Sequence, residues 1–241
     1  MKKRIKTGIN GLDKLLKGGL LEKKSVLLSG PCGSGKSILA MQFIYNGIKQ
    51  ENEPGLYVSF EEEKQSIIEN MATLGFNLEE LEKKKKLMIV GGEAGKLDYF
   101  MQKVGARTDN IIEEIREIVK DNKIKRVVID SVSILTLLCN NDEERRRTIT
   151  KLASTLSELG CTSLLISETK EGTLDLSRHG IEEFIVDGVI ALFQLRQGDK
   201  FIPGIVVRKM RGTDHERGIR LFKITKNGIV VYPNETMFTD I

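Results

Sequence analysis

The sequence has few of the residues that form disulfide frameworks or bind zinc. It contains three cysteines, Cys32, Cys139 and Cys161, without a C-x-x-C pair, and only two histidines in 241 residues. Neither a disulfide-stabilised scaffold nor a structural zinc site is therefore supported. We expect Cys139 and Cys161 to be small buried thiols, because free cysteine is among the most buried residue types.

Long apolar runs are absent as well. No stretch approaches the roughly 18 to 20 apolar residues that a membrane-spanning helix needs, and no signal-like apolar core follows the opening Met-Lys-Lys-Arg. We therefore expect a cytoplasmic protein without a membrane partner. With only four prolines and neither internal repeats nor a low-complexity tract, the sequence predicts a single domain over residues 1–241.

The charge balance gives little support to nucleic-acid binding. There are 38 Lys and Arg against 34 Asp and Glu, a formal net charge of +4, which is too small to indicate a phosphate-binding surface without a localised patch. Two basic runs, 83–86 and 145–147, are expected to be solvated helix ends or faces. Because 40% of the residues are hydrophobic and 30% charged, the composition is typical of a globular protein.

Short apolar runs alternate with helical patterns over most of the chain. The predicted strands are 25–29, 55–60, 87–90, 126–130 and 162–167, and the predicted helices are 38–48, 64–74, 110–120 and 142–159. This alternation favours right-handed crossovers and a parallel sheet covered on both faces. The stretch 91–105, with four glycines, is predicted to be a loop.

The alternation of strand and helix patterns ends after residue 185. Strand-like runs at 186–195, 202–209, 219–225 and 229–232 follow one another with short glycine-containing turns and no helices between them. We interpret them as an antiparallel extension of the sheet. The predicted fold class is therefore α/β, with a mainly parallel central sheet flanked by helices and an antiparallel C-terminal extension.

One octapeptide carries a specific chemical signal. Residues 30–37 match G-x-x-x-x-G-K-[ST] between a predicted strand and a predicted helix, the context that a phosphate-binding loop requires. Backbone N–H groups and the helix N-terminus would surround the phosphates, Lys36 would reach the β and γ phosphates, and the Ser37 hydroxyl would bind Mg²⁺. The predicted nucleotide contacts here are Gly30, Pro31, Cys32, Gly33, Ser34, Gly35, Lys36, Ser37 and Ile38.

A carboxylate closes the predicted strand 126–130. Asp130 is thus expected at the carboxyl end of a central strand, beside the crevice where α/β sheets bind ligands. Taken alone, it could equally cap the next helix. With the phosphate loop present, Asp130 fits the second Mg²⁺ contact beside Ser37.

Three glutamates follow the predicted strand 55–60. Glu61 and Glu62 come directly after the strand and are candidates to orient or deprotonate an attacking water. Glu63 is expected to start the next helix, where a carboxylate interacts favourably with the helix dipole. An acidic helix start is the structural alternative for the whole group.

Further short segments occur in an order shared with a known family. They are Thr7-Gly-Ile-Asn-Gly-Leu-Asp13 with Gly18-Gly19, the phosphate loop, Phe60-Glu61-Glu62, Val128-Ile-Asp130-Ser131, Glu182-Glu-Phe184 with Val186-Asp187-Gly188, and Lys209-Met-Arg-Gly-Thr213 followed by His215. Over nearly its whole length the sequence resembles the KaiC-like branch of the RecA-type ATPases, in particular single-domain archaeal proteins related to the circadian-clock ATPase KaiC.

The resemblance implies a function and a set of residues. It implies Mg²⁺-dependent ATP hydrolysis, with ATP held between neighbouring subunits of a hexameric ring of identical chains. Glu61 and Glu62 match the pair assigned to water activation, and Lys209 and Arg211 would approach the γ-phosphate from the neighbouring subunit, as an arginine finger does. The nucleotide contacts implied outside the loop are Thr73, Lys209, Met210, Arg211, Thr213 and His215.

Two features depart from the family pattern. Lys23-Lys24-Ser25 stands where members often carry glycine before the first strand, so the local turn is expected to differ. The sequence has one phosphate loop where the clock protein has two, and a clock function is not implied.

Other functions use the same core. One is an ATP-gated assembly or regulatory module, in which nucleotide holds the subunits together and hydrolysis is slow. An unidentified protein partner is a separate expectation. Another is a RecA/RadA-like DNA-dependent ATPase that would use residues 83–86 or the loop 91–105 on a phosphate backbone; the weak net charge and the lack of tryptophan disfavour it. A small-molecule kinase is the third. The absence of an N-K-x-D motif favours ATP over GTP.

Overall fold

A computed structural model describes residues 3–91, 107–170 and 175–236 of the chain. The predicted loop 91–105 lies outside this part except for Gly91. Within the described ranges, no helix combines the length and the apolar character that crossing a membrane requires.

Eleven strands and eight helices are numbered here in chain order over the described residues. The strands are β1 (Arg4–Ile5), β2 (Leu20–Leu21), β3 (Ser25–Gly30), β4 (Gly55–Ser59), β5 (Leu87–Gly91), β6 (Arg126–Asp130), β7 (Thr162–Glu168), β8 (Gly188–Gln197), β9 (Lys200–Met210), β10 (Arg220–Thr225) and β11 (Gly228–Thr236). The helices are α1 (Leu12–Leu15), α2 (Lys36–Glu51), α3 (Lys64–Ala72), α4 (Leu78–Lys83), α5 (Thr108–Asp121), α6 (Val132–Leu137), α7 (Asp142–Glu158) and α8 (Glu182–Ile185).

The central sheet has the strand order β11-β10-β9-β8-β3-β7-β6-β4-β5. Strands β8, β3, β7, β6, β4 and β5 are parallel, and β9, β10 and β11 continue the sheet antiparallel. The predicted α/β fold with a C-terminal antiparallel extension is confirmed. One detail of the prediction is wrong: the run from 186 forms a strand parallel to β3, so the antiparallel part begins only at β9.

Each face of the sheet is covered by its own hydrophobic cluster. Helices α1, α2, α3 and α4 pack on one face, in a hydrophobic cluster that includes Val26, Leu28 and Val128 of the strands. Helices α5, α6 and α7 pack on the other, against Leu27 and its neighbours. Because successive strand residues point to opposite faces, strands buried on both sides appear in the sequence as continuous apolar runs. Cys139 and Cys161 are buried, as predicted.

The sequence did not predict every element. Helices α4 and α6 are only six residues long, too short to show a helical period. Strands β1 and β2 have two residues each and form a separate antiparallel ribbon. At the departure before the first strand, Lys23 adopts φ 60°, the left-handed conformation that glycine favours. The turn therefore keeps a backbone that glycine would supply, with lysine in its place.

A buried arginine fixes α2 against β6. The Arg126 side chain is fully buried; its Nε donates to Glu53 Oε2 at 2.7 Å and its guanidinium also donates to the Phe43 carbonyl at 2.8 Å. The guanidinium lies 4.6 Å from the centroid of the Phe43 ring. Gly47 makes room for it, since a Cβ there would lie 2.1 Å from Arg126 Nε. This contact positions the helix that begins at Lys36 relative to the strand that ends at Asp130.

We expect Gly47→Ala to destabilise the fold by about 2 kcal/mol, because the added methyl overlaps a side chain that cannot move away. The substitution would otherwise stabilise a helix interior by roughly 1 kcal/mol. Urea unfolding of the nucleotide-free chain measures the difference. Gln50→Ala, on the exposed part of the same helix, is the control and should stay within about 0.5 kcal/mol of the parent. Equal stability of Gly47→Ala and the parent would contradict the described packing of Arg126.

Candidate functional site

The phosphate loop lies between β3 and α2, as the sequence predicts. Gly33 and Gly35 adopt φ 71° and 92°, values that L-residues rarely adopt, and Gly35 is the N-cap of α2. The Ser34 hydroxyl donates to the Pro31 carbonyl at 2.7 Å, and Lys36 Nζ donates to the same oxygen at 2.8 Å. The loop therefore curves around the lysine ammonium at the N-terminus of a sixteen-residue helix, an arrangement suited to anions.

The environment of Lys36 strengthens this preference. The side chain is buried, and burial lowers its pKa, while the carboxylates of Glu168 and then Asp130 act in the opposite direction. A desolvated ammonium interacts strongly with a charged oxygen because the local dielectric is low. Lys36 is thus placed to bind phosphate oxygens in the loop.

Ser37 and Asp130 meet across the site. Ser37 Oγ donates to Asp130 Oδ2 at 2.9 Å, and the Tyr57 hydroxyl donates to the same oxygen. Burial raises the pKa of Asp130, against the hydrogen bonds from Tyr57 and Ser37. Burial, and next the Asp130 charge, hold the pKa of Tyr57 well above its usual value, so the phenol stays a donor.

The oxygen atoms of this pair fit a magnesium ion. Mg²⁺ is usually held by one or two protein oxygens together with substrate phosphates and waters, and Ser37 Oγ with Asp130 supplies such a pair at the mouth of the phosphate loop. Among the described residues, no group of three or more His, Cys, Asp or Glu side chains could hold a metal by itself. A cation here would therefore depend on phosphate oxygens for the rest of its coordination.

The glutamate pair follows β4 at the same edge of the sheet. The Ser59 hydroxyl accepts from the backbone N–H groups of Glu61 and Glu62, at 3.3 and 2.9 Å. The Ser131 hydroxyl donates to Glu61 Oε1 at 2.6 Å, whereas Glu62 Oε2 accepts from Asn70 at 3.4 Å. Partial burial raises the pKa of Glu61, and the Ser131 hydrogen bond opposes that shift. The Glu61 carboxylate is thus fixed near Asp130 and made more basic.

A cavity of about 330 Å³ opens beside Ser37. It is lined by Ser37, Ile38, Tyr57, Glu62 and Thr73, with apolar side chains of α3 between them. Thr73 also donates its hydroxyl to the Asn70 carbonyl at 2.7 Å. The structure therefore brings Ile38 and Thr73, two predicted nucleotide contacts, to the same cavity as the predicted magnesium ligand.

The segment 209–215 does not join this cluster within the chain. Lys209 pairs with Val189, which lies opposite Leu27 in β3, so it sits three residues before the loop, roughly 10 Å along the strand direction. Lys209 Nζ donates to the Glu183 and Val186 carbonyls, both at 2.7 Å. Burial, and next the charge of Arg211, lower the pKa of this lysine.

Arg211 points in a similar direction. Its guanidinium donates to the Phe184 carbonyl at 2.7 Å and to the Ile185 carbonyl at 3.1 Å. Both cations are thus bound at the end of α8. This is the opposite end of the parallel strands from the phosphate loop.

Three further predicted contacts accompany these cations. Met210 is buried and lies opposite Gly188 in β8. The Thr213 hydroxyl accepts from the Arg4 guanidinium, which also donates to the Leu16 and Gly19 carbonyls, both at 2.9 Å. His215 is buried, with Nδ1 3.0 Å from the Glu216 carbonyl. Within this stretch, Thr213 is therefore held by the N-terminal segment through Arg4.

Three residues of the site were missed by sequence reasoning. Glu168 ends β7 opposite Gly30, and the rule that identified Asp130, a carboxylate closing a buried strand, could have found it. Ser131 follows Asp130 directly, but a lone serine gives no signal of its contact. Tyr57 lies inside a buried strand, where an aromatic residue indicates core packing.

Several residues of the two basic runs pair with neighbouring side chains. Lys83 and Lys84 lie 3.8 Å or less from Glu79 and Glu80 at i,i+4 spacing, and Lys86 donates to Asn52 at 2.8 Å. Arg145 pairs with Asp142 within the first turns of α7. Both runs are therefore at helix ends or faces, as predicted.

The fold and this site together define a class of protein. A mainly parallel sheet, a G-x-x-x-x-G-K-S loop between a strand and a helix, and a strand-ending Asp130 bonded to Ser37 are the features of a P-loop nucleotide-binding ATPase with a RecA-like fold.

Comparison with known proteins identifies the family. A family model described as "ATPase: KaiC" matches residues 5–236, and the chain belongs to this family. It is 39% identical to a protein of Thermotoga maritima named "UPF0273 protein", over 98% of each chain. It is 37% identical to the "Circadian clock oscillator protein KaiC" of Thermosynechococcus vestitus, covering 96% of this chain and 44% of that protein.

A solved structure agrees with this assignment. The crystal structure of a KaiC-like protein from the hyperthermophilic archaeon Pyrococcus horikoshii is similar with a TM-score of 0.84 at 38% sequence identity. The match covers 97% of this chain and 100% of that chain. The predicted RecA-like fold and KaiC-like family are confirmed.

The three cysteines should differ sharply in reactivity. Cys32 is exposed in the phosphate loop, whereas burial raises the pKa of Cys139, and that of Cys161 to about 11. We expect a single fast-reacting thiol with DTNB at pH 8, and reaction of the other two only on unfolding. Cys32→Ser should remove the fast phase, and ATP with Mg²⁺ should slow it. More than one fast thiol in the native chain would contradict the described burial.

Proposed function

We propose that this chain is a Mg²⁺-dependent ATPase that assembles into a ring in which adjacent subunits share each active site. The observation that carries the ATPase proposal is the 2.9 Å contact between Ser37 Oγ of the phosphate loop and Asp130 Oδ2. Family membership supports nucleotide binding, and the oxygen pair supports the cation that ATP hydrolysis uses.

Each residue of the site has its own role in the proposed hydrolysis. Lys36 would hold the β and γ phosphates, and Ser37 with Asp130 would hold Mg²⁺, which neutralises charge between those phosphates when it is bound. Glu61 would orient an attacking water and accept its proton, since its carboxylate is fixed by Ser131 and has a raised pKa. Glu62 faces the cavity beside Ser37 and would position the same water.

The separation of Lys209 and Arg211 from the loop supports a shared site. Neither side chain is directed at phosphates bound by its own chain, because both donate to carbonyls in or next to α8, away from the phosphate loop. In a head-to-tail pair of subunits, Lys209 and Arg211 of one subunit would face the phosphate loop of its neighbour. Repetition of such a contact closes a ring. An arginine supplied in this way stabilises the charge of the transition state.

We expect Glu61→Gln to lower kcat by about 100-fold or more, because it removes the proton acceptor and keeps the shape of the side chain. Affinity for a non-hydrolysable ATP analogue should stay unchanged. Phosphate release and analogue titration measure the two quantities. Glu63→Gln, at the N-cap of α3, is the matched control and should retain turnover. Unchanged turnover in the Glu61→Gln, Glu62→Gln double variant would contradict the catalytic assignment.

A mixing experiment tests the shared site. We expect Arg211→Ala to lose turnover by about 1000-fold, as removal of an arginine finger does, while binding ATP. Glu61→Gln and Arg211→Ala chains mixed in equal amounts should recover activity, because about one quarter of head-to-tail interfaces then join an intact Glu61 to an intact Arg211. Light scattering with and without Mg²⁺-ATP records the assembly in parallel.

The control for mixing is a chain that carries both substitutions. Mixed with either single variant, it should restore no activity, because every chain in the mixture then lacks Glu61 or every chain lacks Arg211. A monomer that hydrolyses ATP at the same rate with or without Arg211 would overturn the ring proposal and leave the phosphate-loop assignment intact. Nucleotide-dependent assembly with negligible turnover would instead favour the ATP-gated module.

A further inference from the structure

Tyr57 occupies an unusual place for a core aromatic residue. It lies in the middle of β4, its side chain is buried, and it belongs to the hydrophobic cluster under α2. Its hydroxyl nevertheless donates to Asp130 Oδ2, and it lines the cavity beside Ser37. The ring therefore packs in the core while its polar end reaches the candidate metal site.

The register of β4 and β6 makes this contact specific. Tyr57 lies opposite Val128, and Asp130 is two residues further along β6, on the same face of the sheet as Val128. Such diagonal neighbours are within reach of an aromatic side chain. Phenylalanine would fill the same space in the core, so the hydroxyl contributes the contact with Asp130 and little else.

Two donors from different elements restrain one carboxylate oxygen. Ser37 donates from the first turn of α2, and Tyr57 donates from the neighbouring strand. Ser37 would also have to bind the cation through the same hydroxyl. A carboxylate held by Ser37 alone would be free to rotate when that hydroxyl turns, whereas the Tyr57 hydroxyl holds it independently.

We propose that Tyr57 is a positioning residue for divalent-cation binding, whose hydroxyl holds the Asp130 carboxylate in the orientation in which Ser37 and Asp130 bind the cation together. This inference rests on the proposed Mg²⁺-dependent function. Partners of this kind outside the ligand set typically contribute 10- to 100-fold to metal affinity.

The test compares Tyr57→Phe with the parent chain without using hydrolysis. A fluorescent non-hydrolysable ATP analogue is titrated in EDTA and at increasing Mg²⁺, and Mn²⁺ binding to the analogue complex is followed by electron paramagnetic resonance. We expect the half-saturating concentration of Mg²⁺ or Mn²⁺ to rise by about 10-fold or more in Tyr57→Phe. Affinity for the analogue in EDTA should be unchanged, because the phosphate loop is untouched.

Two further variants separate positioning from a general effect on the fold. Tyr45→Phe removes a hydroxyl from α2, where the ring packs 4.9 Å from Phe76, and should not alter cation dependence. In an Asp130→Asn background, Tyr57→Phe should have little additional effect, since the carboxylate it would position is gone.

The outcomes distinguish this proposal from the one on which it rests. An unchanged cation requirement in Tyr57→Phe, or an equal loss of analogue affinity with and without cation, would overturn the positioning role. A parent chain whose analogue binding is indifferent to Mg²⁺ and Mn²⁺ would overturn the Mg²⁺-dependent function itself, whatever the variant does.

Discussion

The register of the parallel strands is the constraint on which the site depends. Pairing of β3 with β7 sets Gly30 opposite Glu168, and pairing of β4 with β6 sets Ser59 opposite Asp130. The carboxyl ends of these strands therefore bring together the phosphate loop, the strand-ending carboxylates and the glutamate pair, although long stretches of sequence separate them. A slip of one residue in β6 would turn Asp130 to the opposite face of the sheet, away from α2.

Charge then determines what this edge can bind. Glu168, Asp130 and Glu61 all act to keep Lys36 protonated, against its burial. Phosphates bound in the loop would add further negative charge close to these carboxylates. One lysine cannot balance that charge in a poorly solvated site, so additional cations are needed. A divalent ion at Ser37 and basic groups from a neighbouring chain would supply them, which is the physical reason to connect cation binding with assembly.

Local patterns in the sequence predict the phosphate loop and Asp130, but not the contacts that depend on how the strands pair. The phosphate loop follows a buried strand and Asp130 ends one, so a short pattern and its context are enough to predict where each lies in the fold. The contact of Tyr57 with Asp130 depends on the pairing of β4 with β6, which no local pattern reports. The Lys209 and Arg211 side chains donate to carbonyls in or next to α8, so their orientation depends on tertiary packing and not on the local sequence. For the fold, the long periodic helices were predicted, whereas six-residue helices such as α6 carry too few residues to show a period.

The resting contacts of Lys209 and Arg211 bear on how a ring would respond to nucleotide. Each side chain donates to two backbone carbonyls around α8, which are neutral acceptors. A phosphate of the neighbouring site is a charged acceptor, so Coulomb attraction between opposite charges adds to the hydrogen bond. In the proposed ring, exchange of carbonyls for phosphate oxygens would therefore be favourable only when the neighbour holds nucleotide. The same two cations would then stabilise the interface in proportion to the nucleotide bound, which links assembly to the state of each site.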